Sequence, residues 1–88
     1  MELTVHVGSI LFEYTGGRSE LVVEGSDVAE ALADLDRKYP GIRFRIVDER
    51  GAIRPHVRLF LDQSLVEDLG VRLRAGATLH VLGALSGG

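Results

Sequence analysis

Two short segments near the start of the chain alternate apolar and polar residues, which is the pattern of a strand with one buried face. They span residues 3–8 and 19–24. The apolar positions that share a face are Leu3, Val5 and Val7 in the first segment and Leu21 and Val23 in the second. Between the segments, Gly16-Gly17 favours a turn that tolerates positive φ. We therefore predict a β-hairpin with a long connection.

A helical period replaces the alternation in the next segment. The apolar residues that recur at intervals of three and four are Val28, Ala31, Leu32 and Leu35. Ser26 occupies the position expected of an N-cap, and Asp27 and Glu30 suit the positive end of the helix dipole. Pro40-Gly41 ends the pattern. The segment is predicted to be an amphipathic helix that lies on a sheet.

The second half of the chain contains further short alternating segments. Residues 42–54 alternate only briefly before a turn cluster, so they indicate a short strand or a turn. Residues 56–61 and 78–82 alternate more clearly and are predicted strands. Their inward positions are Val57, Leu59, Leu61, Leu79 and Val81. Residues 83–88 hold three glycines and few apolar side chains, which predicts a flexible tail.

The order of these elements predicts an α+β fold of two layers, with one main helix across one face of a mixed sheet. A right-handed crossover places the last strand parallel to the first in the middle of the sheet. This architecture is a β-grasp. Residues 1–82 form the predicted domain, and residues 83–88 form the C-terminal tail that ends in Gly-Gly.

The composition limits the kind of protein. A chain of 88 residues, 45% hydrophobic and 26% charged, has room for one small core. No apolar run approaches the roughly 18 residues needed to cross a membrane, and the N-terminus has no signal-peptide pattern, so a cytoplasmic protein is expected. The absence of cysteine excludes disulfides, thiolate metal sites and a cysteine nucleophile.

Charge is unevenly distributed along the chain. Residues 1–36 contain eight acids and one base, whereas residues 37–58 contain seven bases and two acids. The seven bases are Arg37, Lys38, Arg43, Arg45, Arg50, Arg54 and Arg58. This segment is interpreted either as a contact for phosphate or an acidic partner, or as a solvated face. The net charge of −3 and the lack of a nucleic-acid module argue against a nucleic-acid partner.

Few residues are arranged for chemistry. His6, His56 and His80 lack the spacing of metal ligands, so no metal is expected. No serine lies in a nucleophile motif. The sequence also contains no glycine-rich phosphate loop, so no bound cofactor is predicted. These absences leave few catalytic options.

The sequence ends in Gly87-Gly88. A terminal carboxylate on two residues without side chains can pass through a narrow channel into the active site of another protein, where a β-carbon would meet the channel wall. The alternative interpretation is an ordinary frayed glycine terminus.

With this ending, the chain resembles the ubiquitin-like sulfur carriers of the MoaD/ThiS family over nearly all of its length. The segments that carry the resemblance are LTVHV, SDVAEALADLDRKYPGI, DERGAIRPHVRLFLD and LRAGATLHVLGALSGG. Ala77 stands where the family commonly has an acidic residue, and Gly83 stands where it commonly has proline.

The resemblance implies that an adenylating enzyme uses ATP and Mg²⁺ to activate the Gly88 carboxylate, which then becomes a thiocarboxylate. The resemblance also implies that the carrier binds no cofactor itself and is a sulfur-donating cosubstrate rather than an enzyme, or else the small subunit of a molybdopterin-synthase-like enzyme. The carrier donates sulfur to a synthase in molybdopterin, cysteine or thiamine biosynthesis, and its segment GIRFRIVDERGAIRP is more similar to the cysteine branch. Two alternatives stay open: a protein modifier conjugated through Gly88, and a non-covalent β-grasp binding module.

A docking patch for the partner is predicted on the sheet. If Val5, Leu59 and Leu79 face the helix, period two places the outward residues His6, His80 and Phe60 in one row, near Leu82 at the root of the tail. An exposed aromatic side chain there is a candidate anchor for a partner. The competing interpretation is that residues 42–54 cover this face and that Phe60 belongs to the core.

Overall fold

The computed structural model describes residues 1–83, which form a five-stranded sheet in the order β2-β1-β5-β3-β4 with helices on one side. The elements are β1 (Glu2–Val7), α1 (Phe12–Thr15), β2 (Glu20–Glu24), α2 (Val28–Lys38), α3 (Ile42–Ile46), β3 (Val57–Leu61), β4 (Ser64–Val66) and β5 (Thr78–Gly83). β1 and β5 are parallel and central, and the other pairings are antiparallel. The predicted α+β architecture, a β-grasp, is confirmed.

The core consists of the inward side chains of the strands and the apolar stripe of α2. Every residue predicted to face inward is buried: Leu3, Val5, Val7, Leu21, Val23, Val28, Ala31, Leu32, Leu35, Val57, Leu59, Leu61, Leu79 and Val81. Burial of these side chains is the main stabilising contribution, because the chain has no disulfide. The opposite face of the sheet remains uncovered by the helices.

The long connection between β1 and β2 is helical rather than irregular. It contains a 3-10 turn (Ser9–Leu11) followed by the four residues of α1, and Gly16 ends α1 in the left-handed conformation with φ 67°. Gly17 has φ 87°, so both predicted turn glycines require positive φ. These short helices were not predicted, because one turn is too short to display a helical period.

The predicted N-cap of α2 is wrong by one residue. Asp27, in extended backbone, is the N-cap, and its Oδ1 accepts a hydrogen bond of 2.8 Å from the N–H of Glu30. The N–H of Ser26 donates instead to Oε1 of Glu30 at 2.7 Å. Serine and aspartate are both favourable N-cap residues. Which of the two caps α2 depends on the residue at which the chain turns from β2 into the helix.

The structure forms a helix, α3, at the start of residues 42–54, where a strand or turn was predicted. Ile42 and Ile46, four residues apart, are buried on one face of α3, and α3 packs against α2. The Oδ1 atom of Asp36 accepts from the N–H groups of Gly41 and Arg43, which satisfies the start of the helix. Five residues with an apolar residue at each end fit both periods, so the sequence pattern was ambiguous.

The last described residue belongs to a strand. Gly83 pairs with Val57 at the end of β5, one residue beyond the predicted domain boundary. A β-carbon at Gly83 would lie 2.8 Å from Cγ2 of Ile10, so this position has no room for a side chain. Residues 84–88 of the predicted tail lie outside the described residues. No helix within residues 1–83 has the length and apolar character required to cross a membrane.

Candidate functional site

The predicted docking patch forms one row on the open face of the sheet. His6 of β1 lies beside His80 of β5 in the parallel pair, and His80 lies beside Phe60 of β3 in the antiparallel pair. The imidazole rings are 5.7 Å apart between centroids and tilted by 56°. We call His6, His80, Phe60 and Leu82 the docking face.

The alternation of each strand explains why these side chains point outward. Val5, Leu59 and Leu79 are fully buried under the helices, so their neighbours in sequence project to the other side. His6, His80 and Phe60 are half-buried by each other and by the strands around them.

Phe60 lies outside the buried core. Residues 42–47 instead contribute Ile42, Ile46 and Val47 to the core on the helix side of the sheet. The interpretation that places the 42–54 segment over Phe60 is therefore wrong.

Leu82 lies at the end of the docking face. Its side chain is 37% exposed, and Cδ2 is 3.8 Å from the position of a β-carbon on Gly8, so the small residue at position 8 leaves space beside it. Arg58 of β3 is its cross-strand neighbour. Leu82 immediately precedes Gly83, so the docking face reaches the last described residue of the chain.

Sequence reasoning missed Leu65 as a member of this surface. Leu65 of β4 is the cross-strand neighbour of Phe60 and is 51% exposed. The available signal was the turn Asp62-Gln63 followed by Ser64, because a two-residue turn after a strand predicts a hairpin. Asp62 does adopt positive φ, at 54°.

The Asp34 carboxylate connects two elements of the fold. Oδ2 of Asp34 accepts from the N–H of Glu24 at 2.9 Å, and Oδ1 accepts from Nη2 of Arg37 at 2.6 Å. The hydrogen bond from Glu24, followed by that from Arg37, lowers the pKa of Asp34 to about 2. Asp34 thus joins β2 to α2 and takes no part in the docking face.

Within residues 1–83 no group of three His, Cys, Asp or Glu side chains is arranged to hold a metal ion. His6 and His80 lie together on the docking face, but within that range no third such side chain joins them. Gly87 and Gly88, the residues predicted to carry the chemistry, lie outside the described residues.

The comparison with protein families decides the relationship. The model of the ThiS family matches residues 5–88, so the match covers the second half of β1, the other four strands, α2 and the Gly87-Gly88 ending. The chain belongs to the ThiS family.

Individual relatives agree with this assignment. The sulfur carrier protein CysO of Mycobacterium tuberculosis is 27% identical over 93 aligned positions that span the whole of both chains. CysO in the Amycolatopsis orientalis BexX/CysO complex has a TM-score of 0.89 at 28% identity, covering 98% of this chain and 99% of that one. Small archaeal modifier protein 1 of Methanosarcina acetivorans has a TM-score of 0.80 at 25% identity, covering 99% and 96%.

Proposed function

We propose that this ThiS-family chain is a sulfur carrier whose Gly88 carboxylate is activated and converted to a thiocarboxylate. The observation that carries the proposal is similarity to a sulfur carrier protein over the whole of both chains, together with a family match that runs to Gly88. The carrier is a cosubstrate, and the catalytic groups belong to its partners.

Activation is needed because a carboxylate is a poor acyl electrophile. The Gly88 carboxylate attacks the α-phosphorus of ATP in an adenylating partner enzyme, which forms an acyl-adenylate and releases pyrophosphate. Sulfide then attacks the acyl carbon and expels AMP, which gives the thiocarboxylate directly; a persulfide donor first gives an acyl disulfide, from which a thiol releases the thiocarboxylate by forming a disulfide with the donor sulfur. The product is a thiocarboxylate, a good sulfur nucleophile. ATP and Mg²⁺ are bound by the activating partner, and the carrier holds no cofactor of its own.

The folded domain supplies recognition rather than catalysis. The docking face ends at Leu82, and the residues that lead to Gly88 begin directly after Gly83. A partner that contacts Phe60, His6 and His80 therefore holds the domain at the root of the reactive terminus. The CysO relative found in complex with BexX supports a carrier that functions by binding another protein.

The acceptor that we propose is a synthase of the cysteine-biosynthesis type, with molybdopterin and thiamine synthesis as the alternatives within the family. Similarity to CysO over the full length supports this choice. The basic segment between α2 and β3 agrees with it.

A second candidate function is protein modification through an isopeptide bond from Gly88 to a lysine. Similarity to a small archaeal modifier protein favours it. Both functions require the same acyl-adenylate, and they differ in the nucleophile that follows.

The test compares the full chain with a variant that lacks Gly87 and Gly88, in an extract of the native host supplied with MgATP and sulfide. We expect a thiocarboxylate on the full chain only, with unchanged folding of the truncated variant by circular dichroism. Equal ATP-dependent processing of both proteins would contradict the proposal and favour a binding module.

A further inference from the structure

A groove of about 520 Å³ lies at the β4 edge of the sheet, between β4 and residues 52–55. Ile53 and Val66 contribute apolar surface to it, and Leu65 lines it as well as standing beside Phe60. The groove thus adjoins the docking face without belonging to it.

The edge of the sheet is incomplete at this groove. β4 has only three residues and pairs with Leu59–Leu61. The first two residues of β3, Val57 and Arg58, therefore have no strand neighbour on that side within the part of the chain described. Both line the groove. The main-chain groups of Val57 are already used, because its N–H donates to the carbonyl of Arg54 at 3.0 Å and its carbonyl accepts from Nη1 of Arg58, so the groove offers a ligand side chains rather than a strand edge.

Two arginines of the groove wall are held in place by main-chain carbonyls. Nε of Arg54 donates to the carbonyl of Phe44 at 2.6 Å, and its guanidinium lies 4.5 Å from the centroid of the Phe44 ring. Nη1 of Arg58 donates to the carbonyls of Pro55 at 2.9 Å and Val57 at 3.0 Å. Each side chain is fixed through one nitrogen.

The remaining donors of both arginines are unused. Among residues 1–83, no carboxylate lies within 4.0 Å of Arg54 or Arg58, and their other N–H groups have no hydrogen-bond acceptor. Asp48 is the nearby acid: the hydrogen bond from the N–H of Ala52 lowers its pKa most, and the charges of Arg50 and Arg54 lower it further, so Arg54 is attracted to Asp48 without donating a hydrogen bond to it. Preorganised arginines with free donors suit a carboxylate ligand, because little side-chain order is lost on binding.

The two sides of the groove carry opposite charges. Arg54 and Arg58 lie on the β3 side, whereas Glu67 lines the side that continues from β4. A ligand carboxylate is attracted to the first side and repelled from the second. An apolar part of the ligand would lie between them, over Ile53 and Val66.

We propose that this groove binds an extended acidic segment of a partner protein, with a large apolar side chain over Ile53 and Val66 and a carboxylate against Arg54 and Arg58. This step rests on the proposed function in one respect: the partner meant is the protein that receives Gly88, and the described chain ends at Gly83, which pairs with Val57 of the groove.

An acidic protein segment fits better than a nucleic acid. A nucleic-acid backbone carries a negative charge at every phosphate, whereas a protein segment can place its acidic residues at one end of the groove and neutral residues at the other. Glu67 lies in the groove itself. Phe44, the exposed aromatic residue beside it, has one face covered by Arg54, which removes half of its surface for stacking a base.

The test is an amide NMR titration of the full chain with the capped hexapeptide Asp-Glu-Leu-Leu-Gln-Asn, which carries carboxylates at one end only. We expect saturable shifts at the amides of Ile53, Val57, Arg58 and Val66. The double variant Arg54→Gln, Arg58→Gln should bind about tenfold more weakly, since it loses the charge-assisted hydrogen bonds. The matched double variant Arg18→Gln, Arg72→Gln loses the same charge outside the groove and should bind like the unmodified chain.

Three outcomes would overturn the inference: no saturable shift with this peptide, equal weakening by the two double variants, or equal binding of the uncharged peptide Asn-Gln-Leu-Leu-Gln-Asn. Tighter binding of a single-stranded DNA oligonucleotide at the same amides would replace it with nucleic-acid recognition. The titration needs no activating enzyme and no Gly88 chemistry. A failure of the sulfur-carrier proposal would therefore leave its result unchanged, and the reverse also holds.

Discussion

His6 and His80 lie side by side across the parallel pair of β1 and β5, with ring centroids 5.7 Å apart. They come from opposite ends of the chain, and the sheet alone brings them together. Phe60 continues the row on β3. The surface that we assign to partner binding thus exists only in the folded domain, next to the root of the C-terminal residues.

Phe60→Ala tests the docking face. Phe60 is half-buried and outside the core, so we expect a loss of about 2 kcal/mol in affinity for the activating enzyme, a hot-spot magnitude. The free energy of unfolding should fall by less than about 1 kcal/mol. Calorimetric binding and chemical denaturation measure the two quantities.

Two variants serve as controls for Phe60→Ala. Val22→Ala removes an exposed apolar group from the β2 end of the same sheet face and should leave affinity unchanged. Leu59→Ala removes a fully buried side chain and should cost about 2–5 kcal/mol of stability. A folded Phe60→Ala protein that binds as tightly as Val22→Ala would remove Phe60 from the interface.

Asp27→Ala tests the start of α2. Loss of the bond from Oδ1 to the N–H of Glu30 should destabilise the domain by about 1 kcal/mol, measured by urea unfolding. Ser26→Ala should change stability by a few tenths of a kcal/mol, since its structural contact is made by the main-chain N–H. The reverse order of the two effects would restore Ser26 as the cap.

Gly83→Ala tests the packing at the end of β5. The new β-carbon would meet Cγ2 of Ile10 at 2.8 Å, so we expect a loss of about 1–2 kcal/mol in unfolding free energy. Adding Ile10→Ala should reduce that loss by opening space. Gly8→Ala is the control, because its β-carbon would have ordinary contacts of 3.7 Å or more. Equal stability of the Gly83 and Gly8 variants would refute this explanation.

Asp34 makes the domain sensitive to acid. Its folded pKa of about 2 lies below its ordinary 3.8, so the unfolded chain binds the proton more readily and stability falls as pH decreases from about 4 to 2. Asp34→Asn should lose about 1 kcal/mol at neutral pH and show a flatter profile in that window. Glu13→Gln, a change at an exposed acid of α1, should keep the original profile. Thermal unfolding at a series of pH values measures the stability of both variants. A pH profile of Asp34→Asn that runs parallel to that of the unmodified chain would contradict the assignment.

Much of the fold could be predicted from local patterns. Apolar residues that face inward, such as Val5, Leu59 and Leu79, belong to segments in which every second residue is apolar, and α2 has apolar residues at intervals of three and four. The docking row was also predictable, since the parallel pairing of β1 and β5 determines which outward residues meet.

The missed features depend on tertiary context. Asp27 rather than Ser26 caps α2 because of where the chain turns from β2. The segment of α3 fits either period and is set by burial of Ile42 and Ile46 and by Asp36. The groove beside Arg54 arises because β4 stops after three residues, which no periodicity in so short a strand indicates.

A thiocarboxylate on Gly88 in protein purified from its native host is the most direct test of the sulfur-carrier proposal. Intact mass spectrometry should find a fraction that is heavier by the exchange of one oxygen for one sulfur, and fragmentation should locate that exchange in the peptide that contains Gly88. Treatment with an alkylating agent should modify only this fraction, because the chain contains no cysteine thiol. Protein in which Gly88 occurs solely as a free carboxylate or in isopeptide bonds to lysines, under sulfur-replete growth, would contradict the proposal.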